Sequence, residues 1–241
     1  MTSRLLARPM EQVALHRETL ARIGALLLRG GLRALDLVWA SLTAPRLLVL
    51  DLRLLAWSFR WSPYRPAGFA DHLRLRRLAG RGDDLTYGEM PWLTLRRLLA
   101  VANLHVGALF VDLGCGTGRA LALASHGFGA RCRGVEIVHE RIATARMMLA
   151  PAQWPGVLLE EGDLRDADLS GADVVLLNWT CLSSESRRLT ASLLAHVPAG
   201  CRVIALTHPL DGDAWELLTA RRVWLSWGRG TAYVQVRRPP G

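Results

Sequence analysis

Between residues 109 and 207 short apolar runs alternate with amphipathic stretches. LFVDL, CRGVEIV, GVLLE, ADVVLLN and CRVIALT read as strands, whereas RALALASHG, ERIATARMMLA and a segment over about 184–196 carry helical spacing. This alternation predicts a parallel sheet with crossover helices. A further short helix is expected near 213–220, after which the chain runs through RVWLSW, Gly228-Arg229-Gly230 and TAYVQV. A connection of only three residues makes these last two strands antiparallel, because parallel neighbours need a crossover of about a dozen residues. Upstream, apolar residues recur at helical spacing over about 11–29, 32–43 and 46–60, with breaks predicted at Gly30-Gly31 and at Pro45. Trp39, Trp57, Phe59 and Trp61 add large apolar faces to these helices.

The 241 residues suit one α/β domain (85–241) behind a helical N-terminal extension (1–84). A hydrophobic fraction of 51% against 21% charged residues excludes a disordered chain. The net charge is +9, yet all 30 basic residues are arginine. That bias reads as the codon usage of a GC-rich genome, so it carries little weight for nucleic-acid binding. The charge is also uneven: residues 1–80 hold 13 arginines against 5 acids, and the remainder is nearly balanced. A basic, tryptophan-bearing amphipathic extension that packs on the domain is expected, with peripheral contact to an anionic membrane as a second reading. Cys115, Cys132, Cys181 and Cys201 lie far apart and show no metal-ligand spacing, and no metal is expected. Arg4, Arg8 and Glu11 interrupt the opening segment, which does not read as a secretory signal. No apolar run approaches the ~18 residues of a membrane span. A reduced, cytoplasmic protein is the simplest expectation.

The segment FVDLGCGTG (110–118) carries the candidate chemistry. A strand ends at Asp112, and Gly114, Gly116 and Gly118 let the backbone turn without Cβ atoms in the way of a ligand. A dinucleotide fingerprint, GxGxxG, would need glycine at position 119, where this chain has Arg119. Glu136 ends the second strand in GVE, placed to accept hydrogen bonds from ribose hydroxyls, and Gly162-Asp163 follows the third. Thr86-Tyr87-Gly88-Glu89 precedes the amphipathic segment PWLTLRRLLAVANL, and Asn178 closes the fourth strand in VVLLNW.

GxGxG with an acid two residues before its first glycine resembles motif I of class I methyltransferases that use S-adenosylmethionine. The ordered set YGE, FVDLGCGTG, GVE, GD and a strand-closing asparagine resembles the non-SET lysine methyltransferases, over about residues 85–208. A mitochondrial lysine methyltransferase branch with a hydrophobic N-terminal segment is similar in its glycine turn. The resemblance implies a Rossmann-like, seven-stranded, mostly parallel sheet with a C-terminal antiparallel hairpin behind a helical N-terminal region. It implies S-adenosylmethionine as cofactor, held by Tyr87, Glu89, Asp112, Gly114, Gly116, Gly118, Glu136 and Asp163. Asp112 would lie near the methionine moiety, Glu136 at the ribose and Asp163 at the adenine amino group. Where the histone enzymes have a second asparagine followed by an aromatic residue, this chain has Trp179 and Thr180.

For the acceptor, Asn-Trp-Thr-Cys does not match the Asn/Asp-Pro-Pro-aromatic of amino-adenine and glutamine-amide methyltransferases. Carboxylates for a metal-dependent O-methyltransferase are missing from the later strand ends. A nitrogen acceptor, foremost a protein lysine, is expected beside Asn178 and beneath the Tyr87–Glu89 loop, with Trp179 and the N-terminal tryptophans as apolar walls. Two alternatives stand beside it. One is an O-methyltransferase of a small or lipophilic hydroxyl compound using His208 as base. The other is a cofactor-binding interaction module without catalysis.

Overall fold

The computed structural model describes residues 24, 27, 30–61 and 85–239. Seven strands form one sheet in the order β3-β2-β1-β4-β5-β7-β6. They are β1 Leu109–Leu113, β2 Arg131–Glu136, β3 Val157–Glu161, β4 Val174–Leu177, β5 Arg202–Leu206, β6 Trp215–Leu225 and β7 Gly228–Arg237. The first five pair in parallel, and β7 enters antiparallel between β5 and β6. Helix α1 covers residues 30–43, followed by α2 Pro45–Ser58, α3 Trp92–Val101, α4 Arg119–Phe128, α5 His139–Met148 and α6 Ser184–Leu194.

Successive strand side chains point to opposite faces, so the apolar strands build two cores. Phe110, Val174, Leu176 and Ile204 face α1 to α5, packing with Leu47, Leu50, Trp92, Leu99 and Leu121. Val111, Leu113, Val175, Leu177 and Val203 face the α6 side, with Leu194 and Val197. Phe110 is fully buried, and its truncation to alanine would cost about 3–5 kcal/mol. Asp112 has the parity of Phe110 and therefore lies on the face covered by α1 to α5. Crossovers place the loops after β1, β2, β3 and β4 along one edge of the sheet, where open α/β sheets take their ligands.

Three local expectations change. Residues 24, 27 and 30–43 are all helical, so Gly30 and Gly31 do not end the helix; both face open space, at a cost of about 1 kcal/mol each relative to alanine. Only the break before Pro45 occurs, where α2 starts with proline in its first turn. The helix expected near 213–220 is part of β6, a strand held by ten registered pairs with β7. A register shift between Leu217 and Thr219 leaves Leu217 and Leu218 both outward, which disguises the period-2 pattern. The hairpin turn is Ser226-Trp227, because Leu225 already pairs with Gly228, and Gly228-Arg229-Gly230 belongs to β7. Among the described residues no helix is long and apolar enough to cross a membrane. Of the earliest expected helix, 11–29, only residues 24 and 27 are described.

Candidate functional site

The turn after β1 is tied to its neighbour strand, since the amides of Gly114 and Cys115 both donate to the Val135 carbonyl at 2.9 and 3.0 Å. Gly114, Gly116 and Gly118 all take positive φ. At Gly116 a Cβ would lie 2.5 Å from Cε2 of Tyr87, so the glycine admits the tyrosine ring onto the turn. The Tyr87 hydroxyl donates to Glu89 Oε1 at 2.8 Å and is 3.1 Å from the Thr117 hydroxyl. The Arg141 guanidinium lies over the Tyr87 ring at 5.0 Å and donates to the Leu85 carbonyl at 2.8 Å. Glu89 is joined to the hairpin turn: its amide donates to Ser226 Oγ at 2.9 Å, and the Ser226 amide donates back to its carbonyl at 3.0 Å. Gly88 faces Trp227 so closely that a Cβ would be 2.1 Å from the indole.

The three strand-end acids are all buried, but their surroundings differ. Glu136 Oε2 accepts from the Gly116 amide and Oε1 from the Val138 amide, both at 2.9 Å. Burial raises its pKa, partly offset by Arg141 and these amides. Asp163 caps the short turn after β3 and accepts from the Arg165 amide and Nε, both at 2.8 Å. The Asp112 carboxyl accepts no hydrogen bond from any described residue; burial, and secondarily the charge of Glu136, push it up to about 7.

Asn178, at the end of β4, has its Oδ1 against the Thr180 hydroxyl at 2.9 Å, and that hydroxyl is 2.8 Å from Thr207 Oγ1. Thr207 holds φ at 75°, an unfavourable conformation for a β-branched residue, at the end of β5. Around these groups lie two adjoining cavities. A cleft is lined by Glu136, Ile137, Asp163 and Leu164 among others. A chamber is lined by Glu89, Asp112, Arg119, Leu176, Leu206 and Trp227 among others. Tyr87, Gly88, Gly114 and Asn178 border both. All the sequence-predicted site residues except Gly116 and Gly118 thus line a cavity, and those two glycines shape the turn beneath them.

Some expectations fail here. Trp179 is buried in the α6-side core with its indole N–H on the His208 carbonyl at 2.9 Å, so it forms no wall. Trp39 and Trp57 pack against the opposite core, and neither they nor Trp61 line the cleft or the chamber. His208 lines neither cavity. The aromatic wall is Trp227, which the sequence placed inside a strand. Arg119 and Arg141 were also missed as site residues. Arg119 had left a signal: a cation opening a helix opposes the helix dipole, so other charges have to hold it there. Among the described residues no group of three or more His, Cys, Asp or Glu is arranged to hold a metal ion.

The sheet order, the glycine turn and the acids at adjoining strand ends define a class I methyltransferase fold. A solved RNA methyltransferase from Salinibacter ruber, in complex with S-adenosyl-L-homocysteine, is similar, with a TM-score of 0.52 and 28% identity over 64% of this chain and 96% of its own. The family model for histone methylation protein DOT1 matches residues 74–153. A protein-lysine N-methyltransferase of Saccharolobus islandicus is 31% identical over 135 residues, 54% of this chain and 80% of that protein. The chain belongs to this protein-lysine methyltransferase family. A histone-lysine N-methyltransferase, H3 lysine-79 specific, of Gibberella zeae is 29% identical over 141 residues; the match covers 52% of this chain and only 28% of that larger protein.

Proposed function

We propose that this chain transfers the methyl group of S-adenosylmethionine to the side-chain nitrogen of a lysine in another protein. The observation that carries the reading is Asp112, a buried carboxyl without a hydrogen-bond partner among the described residues, in a chamber that shares Asn178 with the neighbouring cleft. A cationic ligand fits that carboxylate, and the bound cofactor supplies an electrophilic sulfonium methyl. Glu136 serves the ribose hydroxyls, held in place by the Gly116 and Val138 amides. Asp163 lies at the adenine end, oriented by Arg165. Tyr87 and Glu89 close the chamber.

In the transfer a nitrogen–carbon bond forms as the carbon–sulfur bond breaks, and the nitrogen's proton leaves to solvent. The acceptor must therefore arrive neutral, which costs lysine roughly 4–5 kcal/mol at pH 7 in water. Met90, Leu95, Leu176, Leu206 and Trp227 lower that cost by disfavouring the ammonium form. The Thr180 hydroxyl at 2.9 Å and the Thr180 amide at 3.5 Å both donate to Oδ1 of Asn178, which fixes its carboxamide at the border of the two cavities, where it orients the acceptor nitrogen. Because the chain contains no lysine, the acceptor lysine belongs to another molecule. The test maps isotope-labelled methyl groups by mass spectrometry after incubation with lysine-bearing proteins. Label on lysine Nζ, lost in Asn178→Ala and kept in His208→Ala, supports the reading. Label on the hydroxyl of a small molecule, dependent on His208, overturns it.

The proposed division keeps a helical extension (1–84) and a methyltransferase domain (85–241) in a reducing, cytoplasmic setting. Peripheral membrane contact is a second part of the reading, supported by exposed side chains of the two N-terminal helices. Leu35, Val38 and Leu42 of α1 and Val49, Leu52 and Leu55 of α2 are exposed, as are Arg46, Arg53 and Arg60, whereas Asp36 and Asp51 are buried. Salt-sensitive flotation with anionic phosphatidylglycerol vesicles, lost in a Val38→Ser/Leu42→Ser variant, is the expected result. No flotation at low salt would remove the membrane from the proposal.

A further inference from the structure

Arg119, the residue after the glycine turn, is buried against three carboxylates from three separate segments. Its guanidinium contacts Asp36 of α1 at 2.9 Å, Asp51 of α2 at 3.2 Å and Glu89 at 3.2 Å. It also lies 4.0 Å above the Trp92 ring. The two aspartates are themselves fixed by Trp92, whose amide donates to Asp36 and whose indole donates to Asp51, each at 2.7 Å. Arg33 of α1 donates to the same Glu89 oxygen at 2.9 Å and lies 3.7 Å from Asp51. The other oxygen of Glu89 accepts the Tyr87 hydroxyl, and the Tyr87 ring rests on the Gly116 turn. A continuous chain of contacts thus runs from α1 and α2 through Arg119 and Glu89 to Tyr87.

The match to the DOT1 family model begins at residue 74, so α1 and α2 lie outside it. We propose that Asp36, Asp51 and Arg33 are positioning residues for the cofactor site, acting through Arg119 and Glu89 to hold Tyr87 on the glycine turn. The N-terminal helices are then part of the binding apparatus and more than packing. Two buried arginine contacts bracket the loop, Arg119 at Glu89 and Arg141 at Leu85, but only the first draws on the extension. Removing Asp36 or Asp51 leaves Arg119 with fewer counter-charges in a buried site, where an unpaired charge is costly, so its guanidinium shifts and Glu89 follows. Arg33 pulls on Glu89 directly from a partly exposed position.

The inference rests on the proposed cofactor use, and the experiment separates the two. Affinity for S-adenosylhomocysteine is measured by isothermal titration at a temperature where every variant is folded. If the wild-type chain does not bind, the cofactor reading fails. Given wild-type binding, Asp36→Asn is expected to weaken affinity about fivefold or more, and Arg33→Gln two- to fivefold. The decisive measurement is a double-mutant cycle of either substitution with Tyr87→Phe, which removes the hydroxyl that Glu89 accepts. Coupled sites give a combined loss well short of the product of the single losses. A purely structural role lowers the melting temperature and leaves the affinity of the folded protein unchanged, or gives losses that multiply, and either outcome overturns the proposal. Should Asp36→Asn not fold, the Arg33→Gln cycle decides, because Arg33 sits at the partly exposed edge of the cluster.

Discussion

The two cavities that meet at Tyr87 and Asn178 are built on different principles. In the cleft at the ends of β2 and β3, each acid is satisfied by near neighbours: Glu136 by Val138 and the adjoining Gly116 turn, Asp163 by Arg165. The chamber beneath the Tyr87–Glu89 loop is assembled from residues 87–95, the β1 turn, the ends of β4 and β5 and the β6–β7 turn. Its Arg119 is braced by Asp36 and Asp51 from α1 and α2. It also holds Asp112, which has no such satisfaction. The cleft presents hydrogen-bonding groups that are already oriented, which suits recognition of a neutral polar ligand portion. The chamber presents a buried carboxyl with no hydrogen-bond partner among the described residues, and a cationic ligand would favour its ionised form.

The largest expected effect comes from breaking the wall between the two. Gly116→Val puts a Cβ only 2.5 Å from Tyr87 Cε2 and demands φ of +55° from a β-branched residue. Affinity for S-adenosylhomocysteine should fall at least ~100-fold. Titration showing near-normal affinity would mean that the turn is not where ligand binds. Asn178→Ala sharpens the comparison from the other side. If the asparagine orients the acceptor and not the cofactor, kcat should drop about 10–100-fold while affinity for S-adenosylhomocysteine changes by less than about threefold. Equal losses in both would move Asn178 to the cofactor.

How much was readable in advance follows the same division. The cleft and the strand turns that border it were legible because their determinants are contiguous: FVDLGCGTG, GVE and GD each combine a strand end with a polar residue beside it. Glu136 and Asp163 line the cleft and Asp112 the chamber, each where strand-end positions put it. The chamber was partly hidden. Trp227 enters the site only because β6 pairs with β7 in a register that makes Ser226-Trp227 the turn, and the helical spacing of WELLTA obscured β6 itself. Tertiary pairing overrode local propensity there. Trp179, next to Asn178, looked like a wall, yet the residue after Asn178 falls on the opposite side of the chain and joins the α6 core. Asp36 and Asp51 stand in no motif, on helices whose other charged residues are arginines, and only the fold brings them to Arg119.

The smallest expected effect tests the chamber's charge directly. Asp112 has a folded-state pKa near 7, above its unfolded value of 3.8. The ligand-free folded chain therefore binds more protons than the unfolded chain between about pH 4 and 7. From this group, stability falls as pH rises through that window and levels off above it. Asp112→Asn removes this slope, so its melting temperature should exceed that of the wild type at pH 8 and approach it near pH 4. A cation beside Asp112 holds the carboxylate ionised, so binding of S-adenosylmethionine should release a proton below pH 7. Its affinity should then strengthen by up to about tenfold from pH 6 to 7.5. S-adenosylhomocysteine lacks the sulfonium charge and should show a shallower dependence. Titrations of both ligands in buffers of different ionisation enthalpy give the proton count as well as the affinity. A steeper slope for the sulfonium, absent in Asp112→Asn, places that charge next to Asp112. Identical slopes for the two ligands, lost in Asp112→Asn, would put Asp112 beside the α-ammonium that both carry and away from the reacting sulfur; a slope that survives in Asp112→Asn would show that another group titrates.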